Sequence, residues 1–382
     1  MSVPQLRFKD DVTQDFPEWE DKSIGGVLSI GSGKDYKHLL NGDIPVYGTG
    51  GYMLSVDKYL YDGESVCIGR KGTIDRPTLL NGKFWTVDTL FYTHSFKNCH
   101  PKFIYAIFQR IDWKNYSEAS GVPSLSKSTI EKIEISLPSI AEQTKIANFL
   151  TSVDEKTTQL TQKCDLLAQY KKGVMQQIFS QELRFKDDDG QDFPEWDFVE
   201  LEKIAAKVNK KNKDTSINNV LTNSATQGIV NQSDYFERDI ANQNNLGGYY
   251  VVEPDDFVYN PRISANALVG PIKRNNLTVG VMSPLYTVFR FTAGILDFYE
   301  QYFQTNHWHD YMKSISNTGA RHDRMNITNE SFFDLPLPSP AKKEQTKIAN
   351  FLAAIDDKIT ATQTQLQAVK LYKQGLLQQM FV

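Results

Sequence analysis

The chain has 382 residues, which at about 150 residues per domain predicts two or three domains. Its 40% hydrophobic and 23% charged residues are typical of a globular protein and exclude a disordered or fibrous chain. The 42 Lys and Arg residues against 46 Asp and Glu leave a formal charge of −4, so bulk charge does not indicate a nucleic-acid binder.

No stretch of the sequence approaches the ~18 consecutive apolar residues that a membrane helix needs. The opening MSVPQLRFKDD has no apolar core resembling a signal peptide, so we expect a cytoplasmic protein. The three cysteines, Cys67, Cys99 and Cys164, form no CxxC pair. We therefore expect neither a disulfide framework nor a bound metal.

Two segments occur twice in the chain. LRFKDDVTQDFPEW at 6–19 recurs as LRFKDDDGQDFPEW at 183–196, and EQTKIANFL at 142–150 recurs unchanged at 344–352. The second alignment continues beyond the motif, with 18 identities in 38 positions. Two copies, each nearly the size of a domain, favour a duplicated two-domain protein over a solenoid. Gene duplication without functional meaning is the alternative.

The duplication divides the chain into four parts. We predict a first domain at 1–138, a helix at 139–182, a second domain at 183–340 and a second helix at 341–382. Within each domain, short β-branched and aromatic runs punctuated by Gly, Pro and Asn predict strands, and longer runs predict helices, so each domain is α+β.

In the first domain, Ser65–Ile68 and Phe84–Thr93 are predicted strands and 101–115 a predicted helix. A cationic loop directly follows the first of these strands, and its glycine lets the backbone approach a ligand. Arginine suits bidentate contact with guanine or phosphate, which makes the loop a candidate DNA contact. A solvated or structural role for any one residue stays open. The candidates are Arg70, Lys71, Gly72, Thr73 and Arg76.

The segment at 139–182 carries apolar residues spaced alternately four and three apart, the pattern of a helix that buries one seam. The segment at 341–382 repeats the pattern. Ser139-x-x-Glu142 predicts a capping box, and Ser339-Pro340 predicts an N-cap followed by proline. The predicted seam includes Leu150, Val153, Leu160, Leu167, Leu352, Ile355, Leu366 and Val369.

Each helix of about 40 residues is roughly 60 Å long, which exceeds what one small domain can bury. We therefore predict that the two helices pair antiparallel, as a coiled coil joining two globular α/β domains with a pseudo-two-fold internal repeat. The repeat order also behaves like a closed circle that has been cut, which predicts that the chain termini lie near each other. The alternative is two helices that serve separate partners.

In the second domain, Val279–Phe291 is a predicted strand and 296–314 a predicted helix. An arginine follows a valine by four residues in both domains, which aligns Arg262 with Arg70. Asparagine suits hydrogen bonding to adenine, so loops that combine Arg, Asn and Gly are again candidate DNA contacts. The candidates here are Asn260, Arg262, Arg321, Arg324 and Asn326.

These motifs together resemble the specificity subunit of type I restriction-modification enzymes. The resemblance rests on the FPEW lead before each variable domain, and on a Leu-Pro-x motif and EQxKIAxFL at the start of each long helix. It covers essentially the whole chain. One departure is Lys342-Lys343, which reads as an insertion before the second EQ motif.

The resemblance implies a non-catalytic DNA-binding subunit without a cofactor of its own. Each variable domain is then a target recognition domain that reads half of a split double-stranded DNA site, and the helix pair sets the spacer. Two methyltransferase subunits and the motor-nuclease restriction subunits would complete the complex and would use S-adenosylmethionine, ATP and Mg. The family does not fix which bases are read.

We also predict that the helix starts contact a partner subunit. Phe149 and Phe351 fall beside the seam and extend the apolar face beyond what a helix pair requires. The alternative is that these side chains pack against their own domain. The partner-contact candidates are Gln143, Ile146, Phe149, Gln345, Ile348 and Phe351.

The sequence offers no catalytic constellation. Gly33-Lys34 is followed by Asp35, which breaks a phosphate loop, and Asn260-Pro261 runs into Arg262 rather than continuing as a methyltransferase motif. His307-x-His309 favours surface or packing roles over a metal site. A protein-only scaffold and a stand-alone nuclease are the competing functions. The first predicts no DNA binding with a methyltransferase partner, and the second predicts metal-dependent cleavage by this chain alone.

Overall fold

The computed structural model describes residues 4–235, 243–316 and 323–381. The chain folds as two units: Met1–Lys163 with Thr362–Val382, and Cys164–Ala361. Each unit therefore holds one variable domain together with parts of both long helices. No helix in the described ranges is both long enough and apolar enough to cross a membrane.

The secondary structure alternates short strands with short helices, apart from two long helices. The strands are β1 Glu20–Ser23, β2 Ser29–Ser32, β3 Asn41–Gly48, β4 Gly51–Val56, β5 Tyr61–Asp62, β6 Ser65–Gly69, β7 Thr78–Leu80, β8 Lys83–Thr86, β9 Leu90–His94, β10 Glu134–Leu137, β11 Asp197–Glu200, β12 Ala205–Lys207, β13 Leu221–Ser224, β14 Gly228–Asn231, β15 Tyr250–Val252, β16 Phe257–Tyr259, β17 Ile272–Arg274, β18 Gly280–Met282, β19 Thr287–Phe291 and β20 Pro336–Ser339. The helices are α1 Ile24–Val27, α2 Pro101–Arg110, α3 Lys127–Glu131, α4 Ile140–Phe179, α5 Leu201–Ile204, α6 Gln232–Tyr235, α7 Leu296–Tyr302, α8 His309–Ile315, α9 Asn329–Phe333 and α10 Lys342–Met380.

The first unit contains two four-stranded sheets, ordered β2-β9-β6-β7 and β4-β3-β8-β5. Helix α2 packs its apolar face into the core, and it begins at Pro101 because His100 caps it by accepting a hydrogen bond from Lys102 N at 3.2 Å. The buried face of α2, including Phe103 and Phe108, joins the start of α4 and the end of α10 in one apolar core.

The second unit repeats the first of these sheets. Its four-stranded sheet is ordered β12-β19-β16-β17, which is the same order built from the corresponding strands. Its core again joins the helix that follows the last of these strands in the chain, here α7 after β19, to both long helices. The other strands differ, because β13-β14 and β15-β18 form separate ribbons where the first unit has a second sheet. The predicted α+β class and the common frame of the two domains are confirmed.

The long helices bury the seam that the sequence predicted. Leu150, Val153 and Leu160 are at most 8% exposed, Leu352 and Ile355 at most 5%, and the remaining predicted seam residues are half-buried. In the first unit the start of α4 shares a core with the end of α10, and in the second unit the end of α4 shares a core with the start of α10. The helices are therefore antiparallel within each unit, as predicted.

A polar pair accompanies this seam in both units. Lys373 Nζ lies 2.6 Å from Asp154 Oδ1 in the first unit, and Lys171 Nζ lies 2.7 Å from Asp356 Oδ1 in the second. Each lysine occupies a seam position and also donates to a glutamine of its own unit, Gln109 or Gln304. A polar residue at a seam position fixes the register of paired helices, so these pairs specify the antiparallel alignment.

The two ends of the described chain lie together. Leu6 N donates to Gln379 O at 2.9 Å, and the same bond recurs inside the second unit, where Leu183 N donates to Gln177 O at 2.9 Å. The second bond connects neighbouring stretches of one continuous chain, whereas the first connects two ends. The predicted proximity of the termini is confirmed.

Several predicted boundaries were wrong because turns interrupt the apolar runs. The predicted strand at 84–93 is β8 and β9, separated by a turn in which Leu90 N donates to Val87 O at 2.9 Å. A similar turn at Ser283, which accepts from Tyr286 N at 3.1 Å, divides the run at 279–291 into β18 and β19. The predicted helices at 101–115 and 296–314 are each two shorter helical segments.

The predicted insertion at Lys342-Lys343 was also wrong. Helices α4 and α10 begin at Ile140 and Lys342, and this spacing of 202 residues is the same as that between the two EQTKIANFL copies. The strands before the helices keep the same spacing, since Glu20 pairs with Leu137 and Asp197 with Ser339. The residues by which the second copy is longer than the first therefore lie earlier in the chain, before β20 and α10 begin.

Candidate nucleic-acid interface

The cationic loop of the first unit is held by backbone hydrogen bonds on both sides. Strand β6 is buried along its whole length and ends just before Arg70. Arg70 N donates to Thr89 O at 2.7 Å, and Arg70 O accepts from Leu125 N at 2.9 Å. Gly72 N donates to Pro123 O at 2.9 Å. The backbone is thus fixed, while the side chains of Arg70 and Lys71 are exposed.

The guanidinium of Arg70 makes few contacts within the protein. Its Nη1 lies 3.4 Å from Asp88 O, and its Cζ lies 6.0 Å from the centroid of the Phe91 ring. Arg76, farther along the loop, is exposed. Exposed guanidinium groups on a fixed backbone are suited to bind phosphate or a guanine edge.

The remaining first-unit candidates shape the loop. Gly72 has a φ of 92°, which favours glycine, and a Cβ there would lie 3.8 Å from Thr49 Oγ1. The turn between β3 and β4 therefore lies beside the loop and adds Thr49 to the same surface. Thr73 is half-buried, and its carbonyl oxygen approaches Gly69 so closely that a Cβ at Gly69 would lie 2.0 Å away.

The corresponding loop of the second unit pairs two arginines. Arg262 and Arg324 form an isolated antiparallel bridge, with Met325 N donating to Pro261 O at 2.8 Å. The Asp323 carboxylate lies 3.9 Å from Arg262 Nε and 3.7 Å from Arg324 Nε. Arg262 is 62% exposed at its side chain and Arg324 22%. The carboxylate partly offsets the two charges, so this surface attracts phosphate less strongly than two free arginines would.

Asn260 is half-buried and makes hydrogen bonds inside its own unit. Its side-chain oxygen accepts from Arg262 N at 3.0 Å, and its side-chain nitrogen donates to Asn223 O at 3.0 Å. These bonds hold the loop in place, and a base contact by Asn260 stays a prediction.

Asn326 is exposed and falls where the two units differ in length. In the first unit Leu125 is followed directly by Ser126, which caps α3, whereas in the second unit Asn326 and Ile327 separate Met325 from the equivalent cap Thr328. Arg321 lies outside the described residues. The remaining candidates stay predictions.

The alignment of Arg262 with Arg70 was wrong by one residue. The bridge that Arg262 makes with Arg324 has its equivalent between Lys71 and Ser124. The flanking hydrogen bonds agree, since Leu125 N donates to Arg70 O where Met325 N donates to Pro261 O. Arg262 therefore corresponds to Lys71. A shift of one residue along a strand exchanges its faces, so the correction changes which side chains are comparable.

The partner-contact candidates at the start of α4 are mostly buried in their own unit. The Gln143 side chain accepts from His100 N at 2.8 Å and donates to Pro138 O at 2.8 Å and Asn98 O at 3.1 Å. Ile146 is 1% exposed and belongs to the core of the first unit. Neither residue offers surface to a partner, so the structure favours the alternative of packing against their own domain.

The start of α10 repeats this correction. The Gln345 side chain accepts from Ile295 N at 2.9 Å and donates to Pro340 O at 2.9 Å, and Ile348 is fully buried. Phe149 and Phe351 are half-buried and pack edge to face against the leads, the repeated LRFKD segments at 6–19 and 183–196. The ring centroids lie 5.6 Å from that of Phe8 and 5.5 Å from that of Phe185, respectively. A partner contact by these two phenylalanines stays a prediction.

An ion pair that we did not predict fixes each repeated LRFKD segment to the long helix of its unit. Arg7 donates to both oxygens of the fully buried Glu142 carboxylate, at 3.0 and 2.7 Å. Arg184 makes the same contacts with Glu344, at 2.9 and 3.1 Å. The carboxylates raise the pKa of both arginines, chiefly through these hydrogen bonds. Both partners recur together in the two repeated motifs, which was the available signal.

The predicted capping box at Ser139 forms only in part. Glu142 N donates to Ser139 Oγ at 3.4 Å, but the Glu142 carboxylate is held by Arg7 and does not return to the cap. Among the residues that the structure describes, no group of three or more His, Cys, Asp and Glu side chains is placed to hold a metal ion. Burial lowers the pKa of His307 and His309.

Comparison with known proteins identifies a domain and a fold. Residues 17–167 match the family model described as the type I restriction modification DNA specificity domain. The MjaVIII specificity subunit of Methanocaldococcus jannaschii is 27% identical over 154 residues, covering 38% of this chain and 34% of the relative. The EcoprrI specificity subunit of Escherichia coli is 22% identical over 168 residues, covering 41% and 40%. The chain thus spans well under half the length of these relatives.

The likeness in fold extends over the whole chain. The type I restriction-modification S subunit of M. genitalium superimposes with a TM-score of 0.63 at 14% identity, covering 100% of this chain and 99% of that one. A chain from a type I restriction-modification complex gives a TM-score of 0.51 at 13% identity, covering 96% and 99%. At these identities the likeness concerns the fold.

Proposed function

From the type I DNA specificity domain at 17–167 and a specificity-subunit fold over the whole chain, we propose that this protein is the specificity subunit of a type I restriction-modification complex. Each variable domain reads one half of an asymmetric bipartite DNA site. The long helices set the spacer and dock methyltransferase subunits, which directs adenine methylation and restriction. This chain is non-catalytic, and the chemistry belongs to partners that use S-adenosylmethionine, ATP and Mg.

One observation carries the proposal: both units place an exposed cationic loop at the same position of the same sheet, with different side chains. Lys71 bridges to Ser124 where Arg262 bridges to Arg324. Phosphate contacts position a protein on DNA, while base contacts depend on which side chains reach the groove. A common frame with different loops therefore supports two readers of different half-sites.

The helices supply a fixed length. Helix α4 has 40 residues and α10 has 39, which corresponds to roughly 60 Å each at ~1.5 Å per residue. Half-sites read on one face of DNA are spaced by helical turns of roughly 35 Å. A paired helix with a buried seam resists a change of length, and this favours its use as a spacer.

Docking of the methyltransferase subunits is better supported away from the seam than at the helix starts. Leu166 and Tyr170 on α4 are 65% and 53% exposed, and Leu371 and Tyr372 on α10 are 70% and 54% exposed. Tyr170 and Tyr372 are equivalent positions of the repeat, so each unit offers one exposed tyrosine at this position, whereas the two leucines are not equivalent. Exposed apolar groups of this kind mark interaction surfaces, and two equivalent tyrosines fit two copies of one partner.

The experiment is DNA binding by this chain together with its methyltransferase subunit, followed by a change in helix length. We expect a sequence-specific complex. We also expect that inserting one helical turn after Lys163, together with one turn at the facing position of α10, alters the spacer length while both half-sites stay the same. A protein-only scaffold would bind no DNA under these conditions. A spacer that stays fixed in the lengthened variant would contradict the role of the helices.

A further inference from the structure

The second unit contains a cavity whose described lining is cationic. The cavity has a volume of about 590 Å³ and lies against α4, β17 and α8. Among the described residues that line it there is no Asp or Glu. The charged and amide side chains of its lining include Lys171, Lys172, Lys273, His309, Asn266 and Asn306.

Lys273 is the least expected of these residues. It is half-buried on β17, and within the described ranges no carboxylate or hydrogen-bond acceptor pairs with its ammonium group. The Glu300 carboxylate, whose charge acts on Lys273, is already engaged by Arg274 at 3.2 Å and Asn276 at 2.8 Å. Burial lowers the pKa of Lys273. A half-buried cation without a hydrogen-bonded counter-ion is costly, and an anion bound in the cavity would lower that cost.

The repeat provides a test of whether the fold itself needs these charges. Lys171 has an equivalent, Lys373, and both ammonium groups are occupied by the aspartate and glutamine beside the seam. Lys172 lies 202 residues before Gln374, which carries no charge.

The position equivalent to Lys273 in the first unit is likewise occupied by an uncharged residue. It pairs with Val258 across β16-β17, and the equivalent pair across β6-β7 is Cys67 with Thr78. The first unit folds with Thr78 and Gln374 in these places, so the two cations are not required by the shared frame. They belong to the cavity of the second unit.

We propose that this cavity is a binding site for a phosphate group, with the ammonium groups of Lys172 and Lys273 as its charged ligands. The amides of Asn266 and Asn306 provide neutral donors around them. Lysine binds phosphate as a point charge, and an anion is favoured where cationic and amide donors converge. The phosphate comes either from a DNA backbone or from a free phosphate compound.

The test uses the full chain and inorganic pyrophosphate at fixed ionic strength, measured by isothermal titration calorimetry. We expect saturable binding that weakens by about tenfold or more in Lys172→Gln/Lys273→Gln, since hydrogen bonds to charged groups contribute strongly. Lys203→Gln/Lys213→Gln removes the same charge from exposed positions of the same unit and retains binding. Lys172→Gln alone changes an exposed residue, so its weaker binding is measurable even where the double variant fails to fold.

Two arms distinguish the source of the phosphate. If the binding of duplex DNA weakens in the double variant, and if pyrophosphate displaces that DNA from the wild-type chain, the ligand is a DNA backbone phosphate. Unchanged DNA binding with lost pyrophosphate binding identifies a free phosphate compound. The proposal is overturned when the wild-type chain shows no saturable pyrophosphate binding, or when the cavity variant binds as well as the control variant. Because pyrophosphate binding needs no recognition of a DNA sequence, this result is independent of the proposed function.

Discussion

The two units keep the same contacts around the long helices and differ in the cationic loops that follow β6 and β16. Arg7 with Glu142 matches Arg184 with Glu344, and the ion pair at Lys373 matches the one at Lys171. By contrast, Lys71 faces Ser124 where Arg262 faces Arg324. Packing demands that buried pairs change together, whereas exposed loops are free to diverge. Repetition therefore marks the scaffold, and difference marks the surface that we propose reads DNA.

Even the scaffold is not fully symmetric. Trp196 Nε1 donates to Glu344 Oε2 at 3.0 Å, while the equivalent Trp19 Nε1 is buried and finds no hydrogen-bond partner among the described residues. An unmade buried hydrogen bond costs free energy that a made one does not. The second unit should therefore hold its lead more tightly, and this difference is open to measurement.

The largest expected effect is a charge placed in the seam. Leu160 is 3% exposed on α4, so Leu160→Asp should lower the free energy of unfolding by about 4 to 5 kcal/mol through lost packing and a buried carboxylate. Gln162→Asp, an exposed position on the same helix, is the control and should change little. Denaturant unfolding measures both, and equal stabilities would contradict the buried seam.

The next effect compares the stability that each unit gains from the ion pair between its lead and its long helix. Glu142→Ala and Glu344→Ala should each cost about 3 kcal/mol, because each leaves an arginine without its buried partner. Glu344→Ala should cost about 1 kcal/mol more, since it also removes the hydrogen bond from Trp196. Unfolding of Glu142→Gln and Glu344→Gln provides the isosteric comparison, and a larger loss in the first unit would refute the asymmetry.

A smaller effect concerns the reading loops. Arg70→Ala should weaken binding to the complete site by about 1 to 3 kcal/mol at fixed salt if the guanidinium contacts a base, and Arg262→Ala should do the same in the second unit. Each substitution should relax discrimination at one half-site only. Fluorescence anisotropy with DNAs altered in one half at a time measures this, and relaxation at both halves in one variant would argue against separate readers.

The smallest effect comes from two exposed ion pairs that also repeat. Lys145 donates to Asp11 and Lys347 lies 2.7 Å from Asp188, which lowers the pKa of both carboxylates below 3.8, chiefly by hydrogen bonding. A lowered carboxylate pKa contributes stability above pH 3.8 that is lost as the pH falls through the lowered value. Asp11→Asn and Asp188→Asn should each remove this contribution, so stability falls slightly and equally at neutral pH and is unchanged where both carboxylates are protonated. A loss that is just as large at acid pH, where the carboxylates are protonated, would contradict this assignment.

The sequence predicted the features that depend on period and repetition. The alternating spacing of four and three identified the buried seam residues Leu150, Leu160 and Leu352, because an apolar stripe on a long helix is removed from water by packing. Repetition of the leads and helix starts identified the duplication. The positions of the turns inside the runs at 84–93 and 279–291 were not predicted, since a run of apolar residues does not show where a chain reverses.

The candidate site was harder to predict, for two physical reasons. Identical residues in a repeat show that a position is constrained without showing by what, and Gln143 and Gln345 proved to be constrained by internal hydrogen bonds. The alignment of Arg262 with Arg70 matched residue types, while a strand is defined by its register, which only the bridge to Arg324 revealed. Exposed Arg70 and Arg262 remain the strongest candidates.

The central claim is that two similar frames read two different half-sites, and genome-wide mapping of methylated adenine tests it most directly. The mapping compares cells that express the methyltransferase subunit with and without this chain. We predict a motif of two specified parts separated by an unspecified spacer, present only with this chain. A single continuous motif, or a motif that does not depend on this chain, would contradict the account.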